Sequence, residues 1–296
     1  MKKILIIGSS QSSQKNNPSI LADAIRSEEL EAQVVYWEEM VFSIAKDNVS
    51  ITFRGENLNT NKPDLVIALG WYKNGKNSIY RDVAFSLALF LKHHEIRFWN
   101  SEMGAQRSVT KLSAMMQLAL EGISVPATHF SLTEEKVVHS IDMPYVAKAA
   151  AASRGVSNFL IRSDDDLKQV YESDAKFIIQ PYLENDHDLR IICFGGKPAL
   201  VLKRSRQTDA ATHLNNTSQG ATAVWLELSE IDPRLLTLSE KICKITNREM
   251  AGIDFIPDVS SDLGYSCLEV NPVPQLTSGT DFDKKLETFA HIVRDI

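Results

Sequence analysis

The chain has 296 residues, enough for one large or two to three small domains. Its 38 Asp and Glu outnumber 32 Lys and Arg, and the net charge of −6 argues against a general nucleic-acid binder. No uncharged apolar stretch reaches the roughly 18 residues of a membrane span, and the apolar run after Lys3 is too short for a secretory segment. Cys193, Cys243 and Cys267 lack CxxC spacing and sit in or beside apolar runs, as buried thiols do. A soluble, cytoplasmic protein is expected.

Lys3 to Ile7 predicts a continuous apolar strand, followed by a polar loop to Pro18. Pro18 to Leu30 predicts a helix, with Ile20, Leu21, Ala24 and Ile25 at helical spacing. Strands follow at Ala32 to Trp37, Val49 to Phe53 and Leu65 to Leu69, then a helix over Ile79 to His93 and a strand over Ile96 to Trp99. Such alternation predicts an α/β domain with a parallel sheet, whose ligands collect beyond the carboxyl ends of the strands. Two loops lie at such ends. GSSQSSQ lacks the spacing of a phosphate-binding P-loop and reads first as a connection. GWYKNGK offers Trp71, Tyr72, Lys73 and Lys76 either to a substrate or to solvent.

A boundary falls near Ser101 to Ser108, and Lys111 to Glu121 predicts a helix closed by Gly122. Pro144 to Ala149 is a strand with a lone Lys148 in an apolar run, facing either solvent or an anion. The loop AAAASRG, the strand Val156 to Ile161, the helix Asp164 to Glu172 and the strand Phe177 to Leu183 follow. Asp188 to Phe194 and Pro198 to Lys203 flank Gly195-Gly196 and predict a hairpin. Arg190 and Arg204 would serve there as oxyanion forks or as ordinary surface ion pairs. Beyond the polar loop 206–220 come a strand over Ala221 to Leu228 and a helix over Pro233 to Thr246.

Ala251 to Ile256 and Tyr265 to Val270 read as an antiparallel strand pair joined by a turn rich in Asp, Ser and Gly. They carry Asp254 and Glu269, with Asn271 next in line, and a helix over Asp281 to Ile296 closes the chain. Carboxylates brought side by side on apolar strands repel, and a hard cation reverses that sign. Asp, Glu and an Asn amide oxygen suit Mg2+; two solvated acids at strand ends fit the spacing equally well. No GxSxG, HExxH or GxGxxG occurs, so hydrolase, zincin and dehydrogenase readings have no support.

The pairing of GIDFI with CLEVNPVP resembles the metal-binding end of the ATP-grasp ligases, in particular their RimK-like branch. The match extends upstream to about residue 109, through KLSAMMQLALEGISVPATHF, PYVAK and DLR. The resemblance implies an ATP-grasp fold of mixed α/β and α+β class, divided into a parallel-sheet domain 1–108, a subdomain 109–183 with a flap and an adenine hinge, and a subdomain 184–296 with the metal site. It implies two Mg2+ ions, or Mn2+, on Asp254, Glu269 and Asn271. It places ATP phosphates on Lys111 and Lys148 and on a flap containing Ser153 and Gly155, where alanines and serines replace the usual glycines. The base would lie at Gln180, Tyr182 and Leu183, with Pro181 in place of an acid, and the ribose on Asp188. Arg190, Arg204 and Asn216 would hold the transferred group. The implied reaction is ATP-dependent ligation of a carboxylate to an amine through an acyl phosphate, with an amino acid such as glutamate or a peptide as substrate. A nucleotide-binding regulatory or scaffold protein without turnover is the alternative, and homo-oligomerisation stays open.

Overall fold

The computed structural model describes residues 1–10, 16–46, 48–69, 78–101, 111–133, 141–150, 158–171, 176–206, 215 and 221–296. The first third contains β1 (Lys3–Gly8), α1 (Pro18–Arg26), β2 (Glu31–Tyr36), β3 (Val41–Ala45), β4 (Asn48–Phe53), β5 (Glu56–Asn57), β6 (Leu65–Ala68), α2 (Ser78–His93) and β7 (Arg97–Trp99). Strands β2-β1-β6-β7 form the expected parallel sheet. Its central strands β1 and β6 are apolar on both faces because both are covered. Ile4 and Ile6 pack against Leu21 and Ile25 of α1, while Leu5 and Ile7 face Ala84, Leu87 and Leu91 of α2.

Two details depart from the expected elements. Helix α1 stops at Arg26 rather than Leu30, because the chain closes a tight turn and Glu29 enters the left-handed region at φ 59°. The hairpin β3–β4, extended by β5, forms a separate three-stranded sheet whose first strand was not expected. Val41 and Ile44 are solvent-exposed there, so alternation of burial marks that strand poorly.

The middle segment contains α3 (Lys111–Leu120), β8 (His129–Phe130), β9 (Tyr145–Ala149), β10 (Asn158–Ile161), α4 (Asp164–Tyr171) and β11 (Phe177–Pro181). Strands β10-β9-β11-β8 form an antiparallel sheet. Tyr145, Ala147, Ala149, Phe177 and Ile179 pack on Leu167 and Val170 of α4. Strand alternation therefore turns Lys148 and Gln180 to the opposite face.

The last segment contains β12 (His187–Phe194), β13 (Lys197–Ser205), β14 (Thr222–Leu226), α5 (Pro233–Thr246), β15 (Ala251–Pro257), β16 (Tyr265–Pro272) and α6 (Phe282–Asp295). Strands β14-β13-β12-β15-β16 form a five-stranded antiparallel sheet. On one face Leu189, Ile191, Val201, Ile253, Phe255 and Cys267 pack against Leu118 of α3 and Leu235 and Ile242 of α5. On the other face Ile192 and Phe194 join Phe289 and Val293 of α6, and this layer merges with Ile4 and Ile6 of β1. The same face carries Asp188, Arg190 and Asp254 further along. One end of that face is thus core, and the other lines a cleft.

A polar junction links the first sheet to the last. Asn100, left-handed at φ 63° just beyond β7, receives the Met250 N–H at 2.9 Å and donates its own backbone N–H to Glu249 Oε2 at 2.5 Å. All three cysteines are buried and free, and among the described residues no helix is long and apolar enough to cross a membrane.

Candidate active site

The site begins at the pairing of β15 with β16, which sets Asp254 directly opposite Glu269. The register shifts between Asp254 and Phe255: Asp254 pairs with Glu269, but Phe255 pairs with Cys267, so Leu268 is an inserted residue. The bulge lets Cys267 enter the core while Glu269 remains on the cleft face. Asn271, opposite Gly252, donates its amide to Asp254 Oδ2 at 3.3 Å. The three oxygen-bearing side chains therefore share one face.

Cations relieve the repulsion expected between the two acids. Arg190, opposite Asp254 on β12, forms a bidentate pair with it at 2.6 and 2.7 Å. Arg204 on β13 forms a second bidentate pair with Asp188 at 2.7 and 2.8 Å, and reaches Asp254 Oδ1 at 3.3 Å. Burial opposes the charge on Asp254, but Arg190 and Arg204 outweigh it and hold the carboxyl below the ordinary range. Burial likewise opposes the charge on Arg204, which Asp254 and Asp188 keep firmly protonated. Lys111, at the start of α3, stands 3.6 Å from Glu269 Oε1.

Lys148 faces this group from the middle sheet. It is 8% exposed, so it does not point to solvent, and it donates to Gln180 Oε1 at 2.7 Å. Gln180 in turn donates to Thr128 Oγ1 at 2.8 Å. Burial pushes the Lys148 ammonium down to about 8; Glu269 and Asp254 pull it up, and Lys111 pushes it further down. Lys111, Lys148, Asp254 and Glu269 therefore share one electrostatic environment between the two sheets.

Several implied contacts take a different form. Gln180 is 2% exposed and engages Lys148, which makes it a support for that lysine. The Tyr182 N–H donates to the Pro144 carbonyl at 3.1 Å, leaving the Tyr182 carbonyl and the Leu183 N–H as the backbone groups of that segment to meet a base. Asp188 spends both oxygens on Arg204. Ser153, Gly155 and Asn216, and the loop with Trp71, Tyr72, Lys73 and Lys76, lie outside the described residues.

The sequence reading passed over Lys285. It sits on the apolar stripe of α6 beside Leu286 and Phe289 and is 5% exposed. A lysine three residues after Phe282 and four before Phe289 was the available signal.

Among the described residues no group of three or more His, Cys, Asp or Glu side chains is gathered as a metal site. The candidate set is two carboxylates and an amide, hard oxygen donors on adjacent strands, and that chemistry fits Mg2+.

A family model described as the RimK-like ATP-grasp domain matches residues 108–296. A protein named Probable alpha-L-glutamate ligase from Methanococcoides burtonii is 26% identical over 269 residues, covering 86% of this chain and 83% of its own length. Probable alpha-L-glutamate ligase 1 from Shewanella denitrificans is 29% identical over 60% of this chain and 61% of its own length. Beta-citrylglutamate synthase B from Homo sapiens is 25% identical over 82% and 63%. The chain thus spans less than two thirds of the length of these last two relatives. The structure of the ATP-grasp ligase PsnB complexed with minimal precursor, Mg and ADP superposes with a TM-score of 0.70 at 16% identity, covering 98% of this chain and 97% of that one. D-alanine--D-alanine ligase from Bacillus anthracis complexed with ATP gives 0.61 at 16% identity, over 100% and 99%. At these identities the likeness is one of fold, and it runs the length of the chain. The motifs on β15 and β16, the matched region and the shared architecture agree: the chain belongs to the RimK-like ATP-grasp family.

Proposed function

We propose that the protein is an ATP-dependent carboxylate–amine ligase acting on an amino acid, glutamate-like, or on a peptide. Its divisions would be an N-terminal parallel-sheet α/β domain 1–108 and two nucleotide-clamping subdomains, 109–183 and 184–296. The observation that carries the proposal is the apposition of Lys111 and Lys148 with the Asp254–Glu269 pair across one cleft. A triphosphate needs this combination: fixed cations on one side, and on the other oxygen ligands for the metal that accompanies it. Asp254, Glu269 and Asn271 would hold Mg2+, which supplies charge neutralisation on the phosphates. ATP phosphate then replaces the carboxylates as counter-charge for Lys111 and Lys148.

In this mechanism a substrate carboxylate oxygen attacks the γ-phosphorus and the bond to the β–γ bridging oxygen breaks, giving an acyl phosphate and ADP. An amine nitrogen adds to the acyl carbon, phosphate leaves, and the amine gives up a proton. The chain's own work is positioning and charge stabilisation. Arg190, partly exposed at the cleft, and Arg204, braced by Asp188, hold the transferred group with Asn216. Gln180 sets the Lys148 ammonium. The names of the glutamate ligases and the citrylglutamate synthase support an amino-acid substrate. Incubation with ATP, Mg2+ and a panel of amino acids, read by mass spectrometry, tests the proposal. Amide products with ADP and phosphate are expected, and AMP with pyrophosphate would overturn the acyl-phosphate route. A nucleotide-binding protein without turnover is the second reading, favoured by the alanine-rich stretch 149–152 and by Pro181. Tight Mg·ADP binding with no product from any amino acid would establish it.

A further inference from the structure

Lys285 is a buried cation beside the cleft with no anion bonded to it among the described residues. Its ammonium donates to two neutral acceptors, the carbonyls of Gln275 at 2.6 Å and Ser278 at 2.9 Å. Among the described residues no carboxylate lies within 4.0 Å of it. Both carbonyls belong to the turn 273–279, which leaves β16 directly after the Asn271 segment. The same turn is fixed from the segment that opens α1. Asn16 donates to the Val273 carbonyl at 3.3 Å and accepts from the Leu276 N–H at 3.0 Å, and the Asn17 N–H donates to Thr277 Oγ1 at 3.0 Å. Val273 is held in the left-handed region at φ 51°, where a β-branched residue is strained. The turn is therefore preorganised from both domains.

Arg190 borders this turn. A Cβ placed on Gly252 would meet Pro274 Cβ at 3.3 Å and Arg190 Cδ and Nε at 3.8 Å, so the arginine stem and the turn lie against one glycine. The Arg190 charge is felt at Lys285: burial first, then Arg190, pushes the ammonium down to about 8, against a pull from Asp281. Among the described residues the ion pair of Arg190 is with Asp254, the residue proposed to take a metal, and Asp188 acts on it from further off. When Asp254 turns to a metal, two neighbouring cations share a wall with no carboxylate among the described residues paired directly to either, only the more distant Asp281 and Asp188. A buried charge in that position is costly, and a neutral side chain of the same length would fill the space without the cost.

We propose that Lys285, acting with Arg190, binds a carboxylate of the substrate, with the turn 273–279 as the floor of that pocket. This inference rests on the ligase reading above. It adds a specific cation, contributed by α6, for an acidic substrate.

The test is calorimetric titration of the full chain, preloaded with Mg·ADP, with L-glutamate, L-aspartate and citrate as probes, for wild type, Lys285→Met and Lys285→Arg. At least one probe should bind wild type, with Kd raised roughly 10- to 100-fold in Lys285→Met, the range for losing a charge-assisted bond. Lys285→Arg should remain within about threefold, since it keeps the charge, and Mg·ADP affinity should be unchanged in all three. Equal probe binding by wild type and Lys285→Met would overturn the inference. So would Mg·ADP binding by wild type with no binding of any probe, which leaves the nucleotide site standing. Failure of wild type to bind Mg·ADP would sink the ligase reading itself. Should Lys285→Met not fold, Lys285→Gln, which still donates to a turn carbonyl, carries the same expectation.

Discussion

Replacing Asp254 with Asn keeps the side chain's shape but removes the charge shared by Arg190 and Arg204. The bonds at stake are the bidentate pair at 2.6 and 2.7 Å and the contact at 3.3 Å. Removing one partner of a buried ion pair costs about 3 to 5 kcal/mol. The lower end applies, because Arg204 keeps Asp188, and the Arg190 side chain is 23% exposed and recovers some hydration. Unfolding entropy near 2.1 cal/mol/K per residue gives about 0.6 kcal/mol/K for 296 residues, so the ligand-free melting temperature should fall by about 5 °C. Circular-dichroism melts at pH 7 without metal or nucleotide measure this directly. A double variant, Arg190→Met with Asp254→Asn, should lose less than the sum of the single losses by at least about 1 kcal/mol, because it removes both charges together. Mg·ADP should raise the melting temperature of wild type and not that of Asp254→Asn. A ligand-free melt within about 1 °C of wild type, or strict additivity of the two substitutions, would refute the account of the pair.

Glu269→Ala should lower kcat at least roughly 100-fold, the scale of removing one electrostatic stabiliser, and a few-fold loss would count against its role. Burial pushes the Lys148 ammonium down to about 8, so its hold on phosphate should be full about a unit or more below that pH and fade as pH rises through it. Mg·ADP affinity in titrations at stepped pH should fall up to about tenfold per unit above pH 8, while Lys148→Met should give weaker binding that does not change over that interval. Gln180→Leu removes the acceptor that places the Lys148 ammonium; KM for ATP should rise about tenfold, and an unchanged KM would show that the lysine is set by something else.

Much of this architecture was legible because local patterns and tertiary structure agree. The apolar runs of β1 and β6 read as strands buried on both faces, and they are. Pro233 opens α5 at the position where a proline costs a helix nothing, and its Asp232 cap accepts the Arg234 N–H at 2.8 Å. Asp254, Glu269 and Asn271 stood out because carboxylates on apolar strands conflict with burial. Their compensation could not be read. The Arg190–Asp254 and Arg204–Asp188 pairs join residues 64 and 16 positions apart, and only the strand register shows which acid meets which arginine. Gln180 gave no sign that it faces Lys148, because the two share a face only once β9 and β11 pair. Lys285 was overlooked although it falls on the apolar stripe of α6, because a lysine's type outweighed its position.

The inserted Leu268 has a consequence for how this protein can tolerate change in length. Residues two apart on an unbroken strand look the same way, yet Cys267 looks inward and Glu269 outward. Removing that single leucine would make Cys267 and Glu269 neighbours, which an unbroken strand turns to opposite faces, so ordinary pairing would return with the thiol still inward and the acid still outward. The strand pair can therefore absorb the loss of this one residue, and a homologous chain one residue shorter here is matched with its gap at Leu268.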